Sequence, residues 1–351
     1  MKQSTIKSIA ILIPRLDEKA PIQVAMALAK QLSKKHHVCV YTLRDKRALY
    51  YDGIKIKTLT ARNANEVLEN DIIHTHCFLP DLIGLFIKLL PFKTPKLVST
   101  VHCDPLEEFQ SKKVRRFLIN FWLFALKKYD KVICLNSYVS KVLNGRGISS
   151  SIIYNGKNVE FNNLSELNNK IIKFSNGRNI IGTYSVLKPV KGLEQLIEYA
   201  KVMDESKCIV IAGDGDLMAE IKNKVCEHSL ENKVLLLGFV KNAHNLLPFF
   251  DVFVMTSRSE GFPIALIEAL ASGIPICHSN IPQLLEFKNK LKYTSEVYEL
   301  DGISSLSEGL NSCIKSLLSM KDIAHNRSVY IDFLTEKSMC DSYIKYCYEI
   351  N

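Results

Sequence analysis

Residues Phe250 to Pro275 read FDVFVMTSRSEGFPIALIEALASGIP, and this stretch decides the fold. Val252 to Met255 is a short apolar run bounded by turn residues, the pattern of a strand buried on both faces. Thr256 to Gly261 is a polar turn. Pro263 fits the first turn of a helix, where its missing N–H leaves no bond unmade, and Gly273 fits the helix end. A buried strand, a polar turn and a helix in that order aim several backbone N–H groups and the positive end of a helix dipole at one point. Such a point suits a phosphate or another anion. Glu260 just precedes the helix and Glu268 lies just inside it. A carboxylate only accepts hydrogen bonds, so beside a phosphate these two suit the hydroxyls of a sugar or ribose. Equally, acidic residues near a helix start are explained by the dipole alone.

The same alternation recurs on both sides of this stretch. Residues 6–13, 38–43, 54–59, 71–76, 96–102 and 131–135 read as strands, with a helix from Ile22 to Leu32 and further helical spacing between the rest. Strands that keep being followed by helices imply a parallel, doubly wound sheet. Asn155-Gly156 and the polar run from Asn158 to Asn179 read as a linker, after which the series restarts at Asn179 to Ser185. At 351 residues the chain is too long for one ordinary core and divides into two domains. We place them at 1–165 and 166–325, followed by a last helical segment, 326–351, within a helix read from Asp322 to Glu349.

Composition narrows the function classes. A hydrophobic fraction of 47% with 23% charged residues is that of a globular protein. No run approaches the roughly 20 apolar residues that span a bilayer, and MKQSTIKSIAILIP reads as a first strand, not a signal peptide. The ten cysteines form no CxxC pair and no Cys/His cluster at metal spacing, which is the usage of a reducing cytoplasm. The net charge of +10 is unevenly shared: residues 1–165 hold 26 Lys+Arg against 13 Asp+Glu, and 166–351 hold 20 against 23. A basic first half implies an anionic partner. Residues 111–131, SKKVRRFLINFWLFALKKYDK, carry basic pairs at both ends of an apolar, aromatic centre. They suit either a buried helix with solvated ends or a helix resting on an anionic membrane surface. No nucleic-acid-binding motif accompanies the basic residues.

Several strand ends carry chemistry-bearing residues. His74, His76, His102 and Asn136 fall at the carboxyl ends of strands, where ligands of such sheets gather. Lys191-Gly192 stands where a helix opens, and a lysine there opposes the dipole unless an anion is bound beside it. Asp214 and Asp216 in GDGD form a DxD, a short pattern that chance supplies easily, and we assign no metal to it.

Glu260-Gly261-Phe262-Pro263 followed by Glu268-Ala269, Ala271, Gly273 and Pro275 closely resembles the donor-site signature of GT-B glycosyltransferases, specifically the large retaining family 4. The resemblance implies two Rossmann-like domains facing a central cleft, the first binding the acceptor and the second the nucleotide-sugar. It implies a last segment, 326–351, that crosses back to cover the first domain, and expects no metal or other cofactor; the cysteine usage and the basic, aromatic segment 111–131 suit a cytoplasmic enzyme peripheral on the inner face of the membrane. By the same resemblance the donor is held by Ser185, Lys191, Gly238, Phe239, Val240, Glu260, Gly261, Phe262, Pro263 and Glu268, with Lys191 on the diphosphate and Gly238 to Val240 around the base. Glu268 would hold the ribose hydroxyls and Glu260 the sugar hydroxyls, while His102, in STVHCD, matches the acceptor-side histidine; His102, Lys191 and Glu260 are the residues given catalytic roles. With no carboxylate placed as a nucleophile, the expected chemistry is same-face attack on a UDP-sugar by a glycan or lipid-linked acceptor in envelope polysaccharide or glycolipid synthesis.

The sequence departs from the family pattern in three places, one of them the loop after Pro275, where SNIPQLLEF replaces the family's glycine-containing loop and only Glu286 keeps the expected acidic position. The first turn, PRLDEKAPIQ, has no glycine, and the family's diphosphate arginine is replaced by Val186. Lys188 or Arg258 would have to make up for the missing guanidinium. These departures also fit a catalytically degenerate binding or scaffold subunit, and the architecture is shared with sugar-nucleotide epimerases.

Overall fold

Short aliphatic runs bounded by polar turns, the signal that recurs through the sequence, form the strands of two separate sheets. The structure is a computed structural model and describes residues 6–44, 49–51, 53–91, 94–106, 112–316 and 320–348. The chain divides into two units, one made of Met1–Lys157 with Phe333–Asn351 and the other of Asn158–Asp332.

In the first unit the strands are β1 (Ser8–Ile13), β2 (His37–Thr42), β3 (Leu49–Tyr51), β4 (Ile54–Thr58), β5 (Ile72–His76), β6 (Lys96–Val101), β7 (Lys131–Cys134) and β8 (Ser150–Ile152). They lie in the order β3-β4-β2-β1-β5-β6-β7-β8, parallel except for the antiparallel edge pair of β3 and β4. The sequence reading missed β3, which is only three residues long. Helices α1 (Ala20–Leu32), α2 (Ala64–Leu68), α3 (Phe78–Lys88), α4 (Lys112–Leu126) and α5 (Ser137–Asn144) connect the strands. Ile9, Leu12, Ile73, Leu97 and Ile133 have no exposed surface, which explains why these strands read as unbroken apolar runs.

The second unit holds a six-stranded sheet, β9 (Asn179–Tyr184), β10 (Lys207–Ala212), β11 (Val234–Gly238), β12 (Val252–Met255), β13 (Ile276–Ser279) and β14 (Glu296–Tyr298). Its order is β11-β10-β9-β12-β13-β14, and every pair is parallel. Helices α6 (Ser165–Ser175), α7 (Glu194–Val202), α8 (Met218–Glu227), α9 (Ile264–Ser272), α10 (Pro282–Leu291), α11 (Ile303–Ser316) and α12 (Met320–Phe333) join them, and α13 (Glu336–Tyr343) belongs to the first unit. In both sheets the strand order reverses beside the first strand of the series, between β1 and β5 and between β9 and β12. Such a switch point opens a crevice at the carboxyl ends of the two strands, where open α/β sheets bind ligands.

Two stretches fold differently from their sequence reading. The polar run 158–179 is not a plain linker, because α6 forms within it and turns the fully buried Ile171 into the core. The last helix is not continuous from Asp322 to Glu349. It breaks after Phe333, where buried Leu334 interrupts the helix and Thr335 caps the start of α13, its hydroxyl accepting the Ser338 N–H at 3.1 Å. The break coincides with the passage from one unit to the other. The end of the expected helix, Glu349, lies outside the described residues.

Of the segment 111–131, Ser111 and the side chains of residues 112–115 lie outside what is described. The remainder of α4 buries Ile119, Trp122, Leu123 and Leu126, and Trp122 donates its indole N–H to Asp81 Oδ2 at 2.7 Å. Phe117 and Phe124 face outward, 69% and 48% exposed. Among the described residues no helix is long and apolar enough to cross a membrane.

Candidate active site

The switch point of the second sheet is assembled from the turns after β9 and β12. Gly192, at φ 60°, brings the first turn against the second so closely that a Cβ there would stand 2.3 Å from the Thr256 carbonyl oxygen. Only glycine tolerates both that contact and that left-handed backbone. Hydrogen bonds then lace the turns together: Thr256 Oγ1 donates to the Lys191 carbonyl at 2.8 Å, Gln195 Nε2 to the Thr256 carbonyl at 3.0 Å, and the Arg258 N–H to the Val190 carbonyl at 2.8 Å. The turn GDGD after β10 is held as tightly, since a Cβ on Gly213 would lie 1.9 Å from the Ser185 carbonyl oxygen.

This framework brings Lys191 to Glu260, residues 69 positions apart. The Lys191 ammonium donates to Glu260 Oε1 at 2.6 Å, and Ser257 Oγ donates to the same oxygen at 2.6 Å. Lys191 does not open an α-helix as the sequence suggested. It ends a single 3-10 turn, Pro189–Lys191, and α7 begins only at Glu194. The argument from an opposed dipole therefore falls away; what stands beside the ammonium is Glu260. Pro263 is the residue preceding the first helical turn of α9, one position earlier than read, with extended backbone at ψ 125°. The first N–H groups of α9, on Ile264 and Ala265, precede any bond to the carbonyl four residues back.

Glu268 sits one turn into α9 and is buried. Tyr184 donates its hydroxyl to Glu268 Oε2 at 2.6 Å, and His244 Nδ1 lies 3.4 Å from Oε1. Burial and the neighbouring carboxylate push the Tyr184 hydroxyl well above its usual range, which keeps it a donor. Tyr184, His244 and Ser257 were not singled out from the sequence. Tyr184 had a signal, its place beside Ser185 at a strand end, whereas nothing in the spacing points to His244, which enters from a separate 3-10 segment, Ala243–Phe249.

The other expected donor residues fall as follows. Ser185 lies at the end of β9, its hydroxyl buried with no hydrogen-bond partner. Gly238 closes β11 at φ 71° and its carbonyl accepts the Gly213 N–H at 2.7 Å. Phe239 projects, 68% exposed, and Val240 is buried. The Phe262 ring is buried edge-on against Phe287, centroids 4.4 Å apart, so the ring belongs to the core and any ligand contact from this residue comes from its backbone. Val186 is exposed, and Arg258 is committed elsewhere: its guanidinium donates to Glu194 Oε1 at 2.6 Å and to both oxygens of Asp301 at 2.6 and 2.7 Å. Those two carboxylates raise its pKa further. Among the described residues no group of three His, Cys, Asp or Glu side chains is placed to hold a metal ion.

His102 belongs to the first unit, immediately after β6, and its Nε2 lies 2.9 Å from His76 Nδ1 at the end of β5. Of the two strands, β5 flanks that sheet's crevice and β6 lies next to it. The glycine-free first turn is held instead by Asp17, which accepts from Arg15 Nε at 2.8 Å and from the Lys19 N–H at 3.1 Å.

Two doubly wound sheets, with a charged strand-to-helix turn at the switch point of the second, define the GT-B architecture. The family model for glycosyl transferases group 1 matches residues 165–326, and that for Glycosyltransferase Family 4 matches residues 23–161. Over 353 aligned residues, covering 95% of this chain and 96% of its own length, the O-antigen biosynthesis glycosyltransferase WclY of Escherichia coli is 24% identical. A UDP-Gal:alpha-D-GlcNAc-diphosphoundecaprenol alpha-1,3-galactosyltransferase of the same organism is 33% identical over 227 residues, covering 60% of this chain and 58% of its own. The HepE structure from Anabaena, solved with UDP, superposes with a TM-score of 0.82 at 17% identity, covering 98% of this chain and 100% of that one. The chain belongs to the group 1, family 4 glycosyltransferases and is a glycosyltransferase with the GT-B fold.

Proposed function

We propose that the protein transfers a sugar, with retention of anomeric configuration, from a UDP-sugar to a glycan or lipid-linked acceptor in envelope polysaccharide synthesis. The observation that carries this reading is the Lys191–Glu260–Ser257 cluster beside the amino end of α9. The names of the relatives agree with it, one an O-antigen enzyme and one acting on a diphosphoundecaprenol-linked acceptor with UDP-galactose.

The chemical demand is to stabilise a departing nucleoside diphosphate. In this reading the diphosphate takes the Lys191 ammonium and the amides near Gly261 to Ala265, so that its charge develops against donors already in place. Glu260, released from the lysine, accepts from sugar hydroxyls. Glu268 turns toward the ribose, and Gly238 to Val240 border the base. His102 contacts the sugar on the acceptor side. No carboxylate is assigned as nucleophile and no divalent metal is invoked, so the acceptor attacks from the face the diphosphate leaves, which removes the acceptor proton. With Arg258 committed to Glu194 and Asp301, the exposed Lys188 is left as the stand-in for the family arginine, and Lys191 carries a larger share of the charge. The exposed Phe117 and Phe124 of α4, in a basic unit, support a peripheral seat on anionic lipid.

A thermal-shift screen of UDP, GDP, ADP and their sugar conjugates, with and without EDTA, tests the donor. A ligand at 100 times its Kd adds about 2.7 kcal/mol to the folded state. A selective shift from one UDP-sugar, insensitive to EDTA, is expected; a shift from GDP- or ADP-sugars alone, or one abolished by EDTA, overturns the assignment. NMR of the product with that donor reads the anomeric outcome, and conversion of the donor without acceptor would mark an epimerase.

A further inference from the structure

We infer that His76 fixes the tautomer and orientation of His102, so that His102 presents an N–H at Nδ1 as a hydrogen-bond donor. The inference rests on the acceptor-side role proposed for His102.

Three imidazoles stand in a row at the carboxyl ends of β5 and β6. His74 and His76, two residues apart on β5, share a face of the strand. Their ring centroids are 4.4 Å apart, and those of His76 and His102 are 5.2 Å apart. His74 is fully used: Nδ1 lies 2.6 Å from the Tyr348 hydroxyl and Nε2 2.8 Å from Thr100 Oγ1, which in turn lies 2.8 Å from the Tyr343 hydroxyl. It ties the C-terminal segment to the sheet and has no nitrogen left over.

His76 differs. Its side chain has no exposed surface; Nδ1 meets His102 Nε2 at 2.9 Å, and Nε2 is buried with no partner. A bond between two ring nitrogens needs one donor and one acceptor. Burial holds both rings neutral, His76 well below the usual imidazole range and His102 lowered to about 3, so each carries one proton. If His76 carried its proton on Nε2, that N–H would be buried without an acceptor, one of the rarest defects in folded proteins. The proton therefore sits on His76 Nδ1 and is donated to His102 Nε2. His102 must then be protonated at Nδ1. A donor at that position suits a substrate hydroxyl or ring oxygen, whereas the other tautomer would offer only a lone pair. His76 touches neither substrate nor reacting atoms in this scheme and is a positioning residue.

The test is the ring 15N spectrum of the full chain labelled at histidine, with His102→Ala to assign the signal. Wild-type His102 is expected as the Nδ1–H tautomer. His76→Met, which fills the site and offers a weak acceptor but no donor, is expected to shift His102 toward Nε2–H and to lower kcat by about 10- to 100-fold, the scale on which partners that orient a ligating histidine act. His76→Gln, whose amide can donate to Nε2, should restore the tautomer and much of the rate. An Nε2–H tautomer in the wild type, or an unchanged tautomer in His76→Met, overturns the inference, and the wild-type measurement stands if that variant fails to fold. Wild-type turnover in His102→Ala would instead remove the role of His102 while leaving the tautomer result intact.

Discussion

At the carboxyl ends of β9 and β12 the second unit places a lysine bonded to one glutamate, with a second glutamate held by a tyrosine. At the ends of β5 and β6 the first unit places three imidazoles bonded to hydroxyls and to one another. The two sheets share a topology, with the first strand beside the reversal, yet the strand ends at the reversal of the second and one strand over from it in the first are used in opposite ways. Lys191 stays partly solvated, its side chain 26% exposed, and is matched by a carboxylate that a serine also supports. His74 and His76 are removed from water and His102 is half-buried, none with a carboxylate partner, so desolvation is the largest influence on their state, and it is neutral. A charge survives at a strand end only where a counter-charge is built beside it.

The largest effect expected from breaking this contrast is on catalysis. Lys191→Ala should lower kcat by about 100- to 1000-fold, or about 3 to 4 kcal/mol, as loss of a preorganised transition-state donor does. Steady-state kinetics with the identified donor reads it, and turnover near wild type would show that the charged pair is structural.

Next in size is a difference in acid sensitivity. His74 is lowered to about 3 and His76 well below its usual range, so the folded pKa lies under the unfolded value near 6.5. Between those values the unfolded chain binds more protons, and stability is full above pH 6.5 and lost as pH falls through it. At pH 5 the loss is about 2 kcal/mol for His74, at 1.36 kcal/mol per unit, and His76 adds to it in the same direction. Asp81, pushed up to about 7 by burial, works in the opposite direction and offsets part of it. In the second unit burial lowers His278 to about 4. Hydrogen-exchange protection factors at pH 7 and pH 5 should therefore fall further in β5 and β6 than in β9 and β12. Equal losses in the two sheets would contradict the comparison.

The smallest effect sharpens the second unit. Tyr184→Phe removes one donor from Glu268 while leaving His244 in place, and should cost about 1 kcal/mol in a urea titration. If Glu268 is the ribose ligand, the donor KM should change only a few-fold; a loss as large as that of Lys191→Ala would move Tyr184 into the machinery itself.

Much of this was legible before any coordinates. The apolar run of β12 and the helix-forming stretch after Pro263 announce the strand, turn and helix, because burial on both faces and the proline rule leave few alternatives. Where the reading slipped, tertiary contact had outweighed local pattern. The run 158–179 is polar enough for a linker, yet a buried Ile171 on one side is sufficient to hold α6 against the second unit. Asp322 to Glu349 has the composition of one helix, and it is broken because the chain changes units there. Lys191 was assigned a helix start it does not occupy, since Gly192 reserves a left-handed turn whose need is visible only against Thr256.

The sequence by itself determined the class of fold, the strand and helix series and the residues of the donor signature, because periodicity and turn chemistry act over a few neighbouring positions. Only the tertiary structure decided the partners: Glu260 for Lys191, Tyr184 and His244 for Glu268, His76 for His102, and two carboxylates that commit Arg258. Those pairs join residues tens of positions apart, and what brings them within hydrogen-bond reach is the order of strands in a sheet, which no local spacing encodes.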